Sequence, residues 1–128
     1  MLLKSSWVFI SDGTNVKWLQ LFHLYGGFWR RSISDGGFIK GSAKVVEPPR
    51  LEYKGFRVKF SRKGSICKGL IIRTNYSLTR GGGNYLRFSS NSSILLKKRQ
   101  EIKSKYIYGP GSKKIKRKRF LTIFSRVI

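Results

Sequence analysis

Acidic residues are scarce in this chain: five Asp and Glu stand against 28 Lys and Arg, and the formal net charge is +23 over 128 residues. The carboxylates are scattered singly, at Asp12, Asp35, Glu47, Glu52 and Glu101. No paired general acid and base stands out in this pattern. We therefore expect a protein that is not an enzyme.

Cysteine and histidine are almost absent as well, with Cys67 and His23 the single examples. One cysteine excludes an intrachain disulfide, and one Cys with one His does not make a structural zinc site. Apolar neighbours predict that Cys67 is a packing residue on a half-buried strand rather than a nucleophile, and that His23 is satisfied or partly exposed. No apolar run approaches the roughly 20 residues that cross a bilayer. We expect no cofactor, no metal and no membrane partner.

The excess of positive charge is the strongest feature that the sequence does have. A compact protein with this imbalance repels itself, so a polyanion must supply the missing negative charge. A sequence pI near 11.0 is the electrostatic footprint of nucleic-acid binding. A membrane surface usually requires an amphipathic basic helix, and the sequence contains no convincing one. The hydrophobic share of 40% supplies a core, so the chain is expected to fold despite its charge.

The first residues contain neither an Arg- and Ser-rich amphipathic stretch nor a secretory apolar core, and strand-like sequence begins almost at once. Two explanations fit the lack of a targeting segment: the sequence is that of the mature chain, or the protein is made in the compartment where it works.

Short apolar segments separated by Gly-rich turns favour strands over helices, and their regular recurrence indicates a small barrel. The predicted strands are Trp7–Ile10, Val16–Tyr25, Phe38–Val46, Phe56–Phe60, Ser65–Arg73, Tyr85–Phe88 and Ser93–Leu96. Beyond Ser112 a basic run followed by apolar spacing from Phe120 to Phe124 predicts one or two short helices. No repeat or long linker divides the chain, so residues 1–128 are predicted to form a single domain.

Two loops carry candidate binding residues. The Arg80–Asn84 loop lacks the Gly-Lys-Ser/Thr of a Walker motif. It is either a flexible connection or a place where backbone amides approach phosphate, with Arg73 and Arg87 nearby. The Phe28–Trp29 pair follows a Gly-Gly turn and precedes two arginines. It either stacks on unpaired bases or caps the barrel and leaves RNA contact to the arginines.

The densest positive charge lies in two runs, Lys97–Arg99 and Lys113–Arg119. Residues 97–119 contain eleven Lys or Arg and a single acid, Glu101, which favours phosphate contact over a merely solvated face. Phosphate contacts position a protein without reading sequence, so we expect recognition of RNA shape. The predicted RNA-binding residues are Arg30, Arg31, Lys40, Arg62, Lys63, Arg73, Arg80, Arg87, Lys97, Lys98, Arg99, Lys113, Lys114, Lys116, Arg117, Lys118 and Arg119.

A series of motifs occurs in a familiar order. The motifs are Ile10–Asn15, Tyr25–Arg31, Gly36–Lys40, Arg62–Gly64, Leu70–Thr74, Leu86–Asn91, Ile94–Leu96 and Lys105–Gly111. Together they resemble the universal large-subunit ribosomal protein L-fourteen family, in an organellar (mitochondrial) version, from about Trp7 to the end of the chain. The chain departs from the family pattern in a longer Leu51–Phe60 stretch, in Gly37 where the family has Asp, and in a basic Lys113–Arg119 where the family carries acids.

The resemblance implies a mainly β fold. This is a small five-stranded β-barrel over about residues 5–98 with a projecting β-ribbon. A ribbon or loop and a basic C-terminal region with one or two short helices follow over about residues 99–128. It also implies that the basic motif positions Arg30, Arg31, Lys40, Arg73 and Arg87 contact RNA.

The resemblance further implies a structural constituent of the large ribosomal subunit that binds large-subunit rRNA and contributes to the intersubunit face in translation. The implied partners are small-subunit rRNA, reached through intersubunit bridges, the large-subunit proteins L-three and L-nineteen, and the ribosome silencing factor. The implied location is the mitochondrial ribosome in the matrix, with a gene in the organelle as one option.

A free OB-type single-stranded nucleic-acid-binding protein is the alternative. Such a protein would be soluble alone and would bind with a site size set by strand length. A ribosomal protein would instead co-sediment with large subunits and resist mild salt washing.

Overall fold

Nine strands and one short helix make up the computed structural model, which describes residues 1–48 and 61–128. The strands are β1 (Leu2–Leu3), β2 (Trp7–Ile10), β3 (Val16–Leu24), β4 (Ser32–Ile33), β5 (Phe38–Val46), β6 (Ile66–Arg73), β7 (Leu78–Thr79), β8 (Tyr85–Leu86) and β9 (Ser92–Leu96), and the helix is α1 (Lys118–Leu121). The fold is therefore mainly β, as predicted.

Five of the strands close into a barrel in the order β2-β3-β5-β6-β9. Neighbouring strands are antiparallel except β2 and β9, which run parallel and close the barrel. Closure leaves no free edge among these strands for another chain to pair with. The remaining strands form two small antiparallel pairs, β1 with β4 and β7 with β8.

Alternation along each strand places one row of apolar side chains inside the barrel. On β2, Val8 and Ile10 are buried whereas Trp7 and Phe9 point outward and are exposed. The interior cluster is continuous around the barrel. It contains Leu2, Val8, Ile10, Val16, Leu19, Leu21, Leu24, Ile33, Ile39, Ala43, Cys67, Ile71 and Leu95.

The C-terminal segment covers the outer side of β9, which is buried along its whole length. Ile94 and Leu96 pack there with Ile115, Phe120 and Phe124 in a second apolar cluster. Burying a large apolar side chain contributes about 1.5–3 kcal/mol to the stability of the folded state. These three tail residues therefore fix the basic segment to the barrel. The one α-helix of the described residues, α1, contains the buried Phe120.

A buried aspartate joins the end of β2 to β9. Asp12 Oδ2 accepts a hydrogen bond from the backbone N–H of Leu95 at 2.8 Å. Its Oδ1 accepts from the N–H of Thr14 at 3.0 Å and from the Thr14 hydroxyl. Burial raises the pKa of Asp12, and the hydrogen bonds from Thr14 and Leu95 offset part of that rise. Asp12 therefore stabilises the barrel closure and is not available for catalysis.

The predicted strands in the described residues all occur, with small shifts at their ends. β3 ends one residue earlier than predicted, and β6 begins one residue later. β9 begins one residue earlier than predicted, and β8 is confined to Tyr85–Leu86. β8 pairs with β7, a strand that sequence reasoning missed, as it missed β1 and β4. The strand predicted over Phe56–Phe60 lies outside the described residues. Cys67 is buried on β6, as predicted.

Candidate nucleic-acid interface

Two lysines face each other on the outer surface of the barrel. Lys40 on β5 is directly opposite Lys68 on β6, and on its other side it is paired with His23 of β3. Like charges opposite each other destabilise a sheet. Lys68 is exposed and Lys40 is half-buried, so an anion placed against both would relieve the repulsion.

A groove of about 450 Å³ lies between the segment of residues 25–38 and the C-terminal segment. Its cationic lining residues are Arg30, Lys114, Lys116 and Arg117. Arg30 belongs to one motif of the sequence and the other three belong to the densest basic run. The structure therefore brings together two parts of the chain that were separately predicted to bind RNA.

Contacts with neighbouring side chains hold two of the groove cations in place. Lys114 Nζ donates a hydrogen bond to Ser34 Oγ at 2.7 Å. The guanidinium of Arg117 lies 5.2 Å from the ring centre of Phe38, within the range of a cation–π interaction. Both side chains are exposed, so their charged groups remain accessible to a phosphate.

A smaller cleft of about 130 Å³ continues this surface, because it shares Tyr25 and Phe38 with the groove. Its cationic lining residues are Lys68, Lys97 and Arg99. The cleft thus connects the opposed lysines of the barrel, through Lys68, to the basic run that follows β9.

Gln100 links the basic run Lys97–Arg99 to the C-terminal basic run Lys113–Arg119. Its Oε1 accepts hydrogen bonds from Arg117 Nη1 at 2.5 Å and from Arg119 Nη2 at 3.1 Å. Arg99 and Gln100 have φ angles of 61° and 59°, in the left-handed region that costs non-glycine residues about 1–3 kcal/mol. The two arginine contacts help to hold this strained corner.

We call this continuous surface the basic face. It consists of Arg30, Lys40, Lys68, Lys97, Arg99, Lys114, Lys116, Arg117 and Arg119. Few carboxylates oppose it: Asp12 and Asp35 are buried, and Glu47 pairs with Lys17 at 3.5 Å. The Lys17–Glu47 pair is the one ion pair found within residues 1–48 and 61–128. Glu101 is exposed, and its carbonyl oxygen accepts a hydrogen bond from the N–H of Lys97. The basic face must therefore find its negative charge in another molecule.

Asp35 lies in the wall of the groove itself. Its carboxylate oxygens are buried, and neither accepts a hydrogen bond within the part of the chain that the structure describes. When ionised, a carboxylate at this position attracts the groove cations and offsets part of their mutual repulsion. It does not neutralise them, because four cations share the groove with this one acid.

Other predicted RNA-binding residues lie at the margins of the basic face. Arg80 and Lys113 line a cleft of about 310 Å³ beside the β7–β8 ribbon. Lys98 lines another of about 220 Å³ together with Lys68 and Lys97. The clefts described here do not include six exposed residues of the prediction, which are Arg31, Arg62, Lys63, Arg87, Lys118 and Arg119.

Arg73 occupies a different environment from the other predicted residues. Its Nη1 donates hydrogen bonds to the carbonyl oxygens of Tyr108 and Pro110, both at 3.0 Å. Its Nη2 donates to Ser11 Oγ at 2.8 Å and to Ser92 Oγ at 3.2 Å. Burial lowers the pKa of its guanidinium. Four of its five N–H groups are thus used within the chain, so the structure gives Arg73 a structural role.

The two loops singled out in the sequence both lie at turns. The Gly81–Gly83 segment connects β7 to β8 as a short 3₁₀ turn at the tip of the ribbon. Phe28 and Trp29 are 84% and 81% exposed. The structure therefore contradicts the interpretation that this aromatic pair caps the barrel, and it leaves both rings accessible.

Sequence reasoning missed Lys68, Lys103 and Gln100. Lys103 lines the cleft beside Lys98 and donates a hydrogen bond from Nζ to Ser61 Oγ at 2.7 Å. Lys68 alternates with buried residues along β6, which indicates an outward side chain, but only the strand register places it opposite Lys40. Gln100 carries no sequence signal, because its role depends on the folded position of the tail arginines.

The arrangement offers many N–H donors and positive charges over a broad surface. Groups of this kind bind phosphate oxygens and confer no sequence specificity by themselves. In the described residues there is no group of three or more His, Cys, Asp or Glu placed to hold a metal ion. None of the helices in that part of the chain has the length and apolarity to cross a membrane.

Comparisons with known proteins identify the family of this chain and relatives that share its sequence. The model of the family described as Ribosomal protein L14p/L23e matches residues 1–127. The chain is 34% identical over 113 residues to the "Large ribosomal subunit protein uL14m" of Tetrahymena pyriformis, which covers 88% of this chain and 87% of the relative.

Proposed function

Because the chain belongs to the ribosomal protein L14p/L23e family, we propose that it is a structural constituent of the large ribosomal subunit that binds large-subunit rRNA. The observation that carries this proposal is the basic face, in which cations from the barrel and from both basic runs meet with few opposing carboxylates. Neutralising phosphates releases their condensed counterions, which supplies binding energy without any base contact.

The proposal has finer parts that rest on the family resemblance. The protein contributes to the intersubunit face and to bridges with small-subunit rRNA, and it neighbours the large-subunit proteins L-three and L-nineteen, with the ribosome silencing factor as a further partner. It works as one domain, since the apolar cluster around Phe120 packs the C-terminal segment onto β6 and β9. Its place is the mitochondrial ribosome, as the name of the Tetrahymena relative suggests.

Fractionation of organellar ribosomes tests the assignment to the large subunit. We expect the chain to sediment with large subunits and to stay bound through a mild salt wash, with mass spectrometry of gradient fractions as the readout. The competing assignment, a free single-strand-binding protein, predicts that the chain remains near the top of the gradient. Recovery only in ribosome-free fractions would contradict the proposal.

The salt dependence of RNA binding tests the basic face. The triple variant Lys114→Gln, Lys116→Gln, Arg119→Gln removes three exposed tail charges of the basic face and keeps the buried Ile115 and Phe120. Each phosphate contact contributes about 0.7–0.9 to the slope of log affinity against log salt. We therefore expect the slope measured with large-subunit rRNA to fall by about 2–3 in magnitude.

A matched triple variant controls for the loss of net charge. It replaces by Gln three lysines that line none of the clefts described above, namely Lys4, Lys44 and Lys105. We expect a clearly smaller change in slope. Equal slopes for the two triple variants would show that the tail has no special contact with phosphate.

A further inference from the structure

Phe28 and Trp29 occupy the two central positions of a turn. The N–H of Arg30 donates to the carbonyl oxygen of Gly27 at 3.3 Å, which closes the turn around them. Gly26 and Gly27 precede them with φ angles of 122° and 123°, a backbone region that favours glycine. Central turn positions are usually polar or glycine, so two large aromatics there need a physical reason.

The barrel does not supply that reason, because neither ring is buried: they are 84% and 81% exposed. The rings contact each other edge to face, with their centres 5.3 Å apart and their planes at 85°. An edge-to-face pair leaves ring faces open, and a planar group of another molecule can stack on them.

The surroundings identify the chemistry of that molecule. Arg30 closes the turn, donates from Nε to the carbonyl oxygen of Ser32 at 3.0 Å, and lines the groove with Lys114, Lys116 and Arg117. Arg31 follows and is exposed. A partner must therefore present a flat apolar surface next to dense negative charge. Unpaired nucleotides combine a stacking base with a phosphate, whereas a stacked duplex hides its base faces.

We propose that the turn formed by Gly27, Phe28, Trp29 and Arg30 is a stacking site for unpaired RNA bases, with the adjacent groove binding the phosphates of the same strand. This proposal rests on the proposed rRNA-binding function and adds to it a preference for unpaired RNA over double-stranded RNA. The protein recognises a loop or bulge in which bases are splayed out, and not only the regular backbone of a helix.

Substitution of Trp29 separates stacking from general apolar contact. Trp29→Leu keeps an apolar side chain and removes the π face, whereas Trp29→Phe keeps an aromatic ring. Because the side chain is exposed, we expect both variants to fold, and far-UV circular dichroism and the urea midpoint check this. The probes are an oligouridylate of about 12 nucleotides, within the site sizes of small barrels, and an abasic strand with the same number of phosphates.

Base–aromatic stacking contributes about 1–3 kcal/mol per base, or about 5- to 150-fold in affinity. We expect Trp29→Leu to weaken oligouridylate binding by about tenfold, Trp29→Phe to restore most of it, and neither to change binding of the abasic strand. Unchanged oligouridylate binding by Trp29→Leu, or an equal loss on the abasic strand, would overturn the stacking site. Such a result leaves the rRNA-binding proposal intact, because that proposal is tested separately, by sedimentation with large subunits and by the salt dependence of binding to large-subunit rRNA.

Discussion

Replacing Arg73 by methionine separates a residue that builds the fold from those that are proposed to contact RNA. The guanidinium connects the end of β6 to four other points of the chain, at Ser11, Ser92, Tyr108 and Pro110. Methionine keeps the apolar part of the side chain and loses every donor. We expect the variant to unfold more easily and to keep the RNA-binding properties of its folded form.

The magnitude follows from the contacts. A hydrogen bond to a charged group contributes about 1.5–3 kcal/mol, and Arg73 makes four. Arg73 is half-buried, so water can replace some of the lost donors. We therefore expect a loss of about 2–4 kcal/mol in the free energy of unfolding. For a chain of this size that corresponds to roughly 8–15 °C in Tm.

Urea denaturation followed by fluorescence measures the loss, and salt titrations with rRNA measure binding. Arg31→Met is the matched control, because Arg31 is an exposed arginine outside the strands, and we expect it to change the free energy of unfolding by less than about 0.5 kcal/mol. If Arg73→Met were as stable as the wild type while its salt slope fell by about 0.7–0.9, the structural role would be refuted and Arg73 would belong to the RNA contacts.

Two further substitutions test the barrel. Asp12→Asn should destabilise it by about 1–3 kcal/mol, because an amide NH₂ placed against the N–H of Leu95 replaces an acceptor by a donor. Since burial raises the pKa of Asp12, folding takes up a proton between about pH 3.9 and the raised pKa. Wild-type stability should therefore contain a component that falls as pH rises through that window and is missing in Asp12→Asn, as urea midpoints at several pH values would reveal. Gly41→Ala should cost about 1–3 kcal/mol, since a Cβ there would lie 2.5 Å from the carbonyl oxygen of Gln20. Gly81→Ala is its control, with nothing within 4 Å of the added Cβ, and equal thermal midpoints for the two variants would contradict the close strand approach.

The barrel was predictable because its strands carry local signals. Short apolar segments between Gly-rich turns mark β2, β3, β5, β6 and β9 to within one residue at their ends. Strands β1, β4 and β7 were missed because each has two residues, too few to show a period. Their existence depends on where distant parts of the chain meet.

The prediction of one or two short helices in the tail is confirmed by the single short helix α1. Only Lys118–Leu121 is helical, although the preceding basic run contains no Gly or Pro after Ser112. Like charges three and four residues apart destabilise a helix, and this run places lysines and arginines at many such spacings. The apolar anchors Ile115 and Phe120 then fix the segment against the barrel in an irregular conformation.

The basic runs were visible in the sequence, but their assembly into one surface was not. Composition predicts that Lys and Arg bind phosphate, and it assigns Arg73 to the same group as Arg30. Only the folded chain shows that Arg73 is used internally while Lys68, an isolated lysine in sequence, lies opposite Lys40. The charge density of the sequence thus predicts a ligand that carries phosphates. The strand register determines which cations are not used within the chain and can bind that ligand.

The same packing that fixes the tail couples RNA binding to stability. Ile115 and Phe120 are buried against the barrel, while Lys114, Lys116 and Arg117, between and beside them, line the groove. Without a polyanion these cations repel one another and work against the apolar anchors. With phosphate in the groove the repulsion becomes attraction, and any ligand that binds only the folded state raises its stability. We therefore expect the groove cations and the apolar anchors to act as one unit, whose packing the proposed RNA ligand would strengthen.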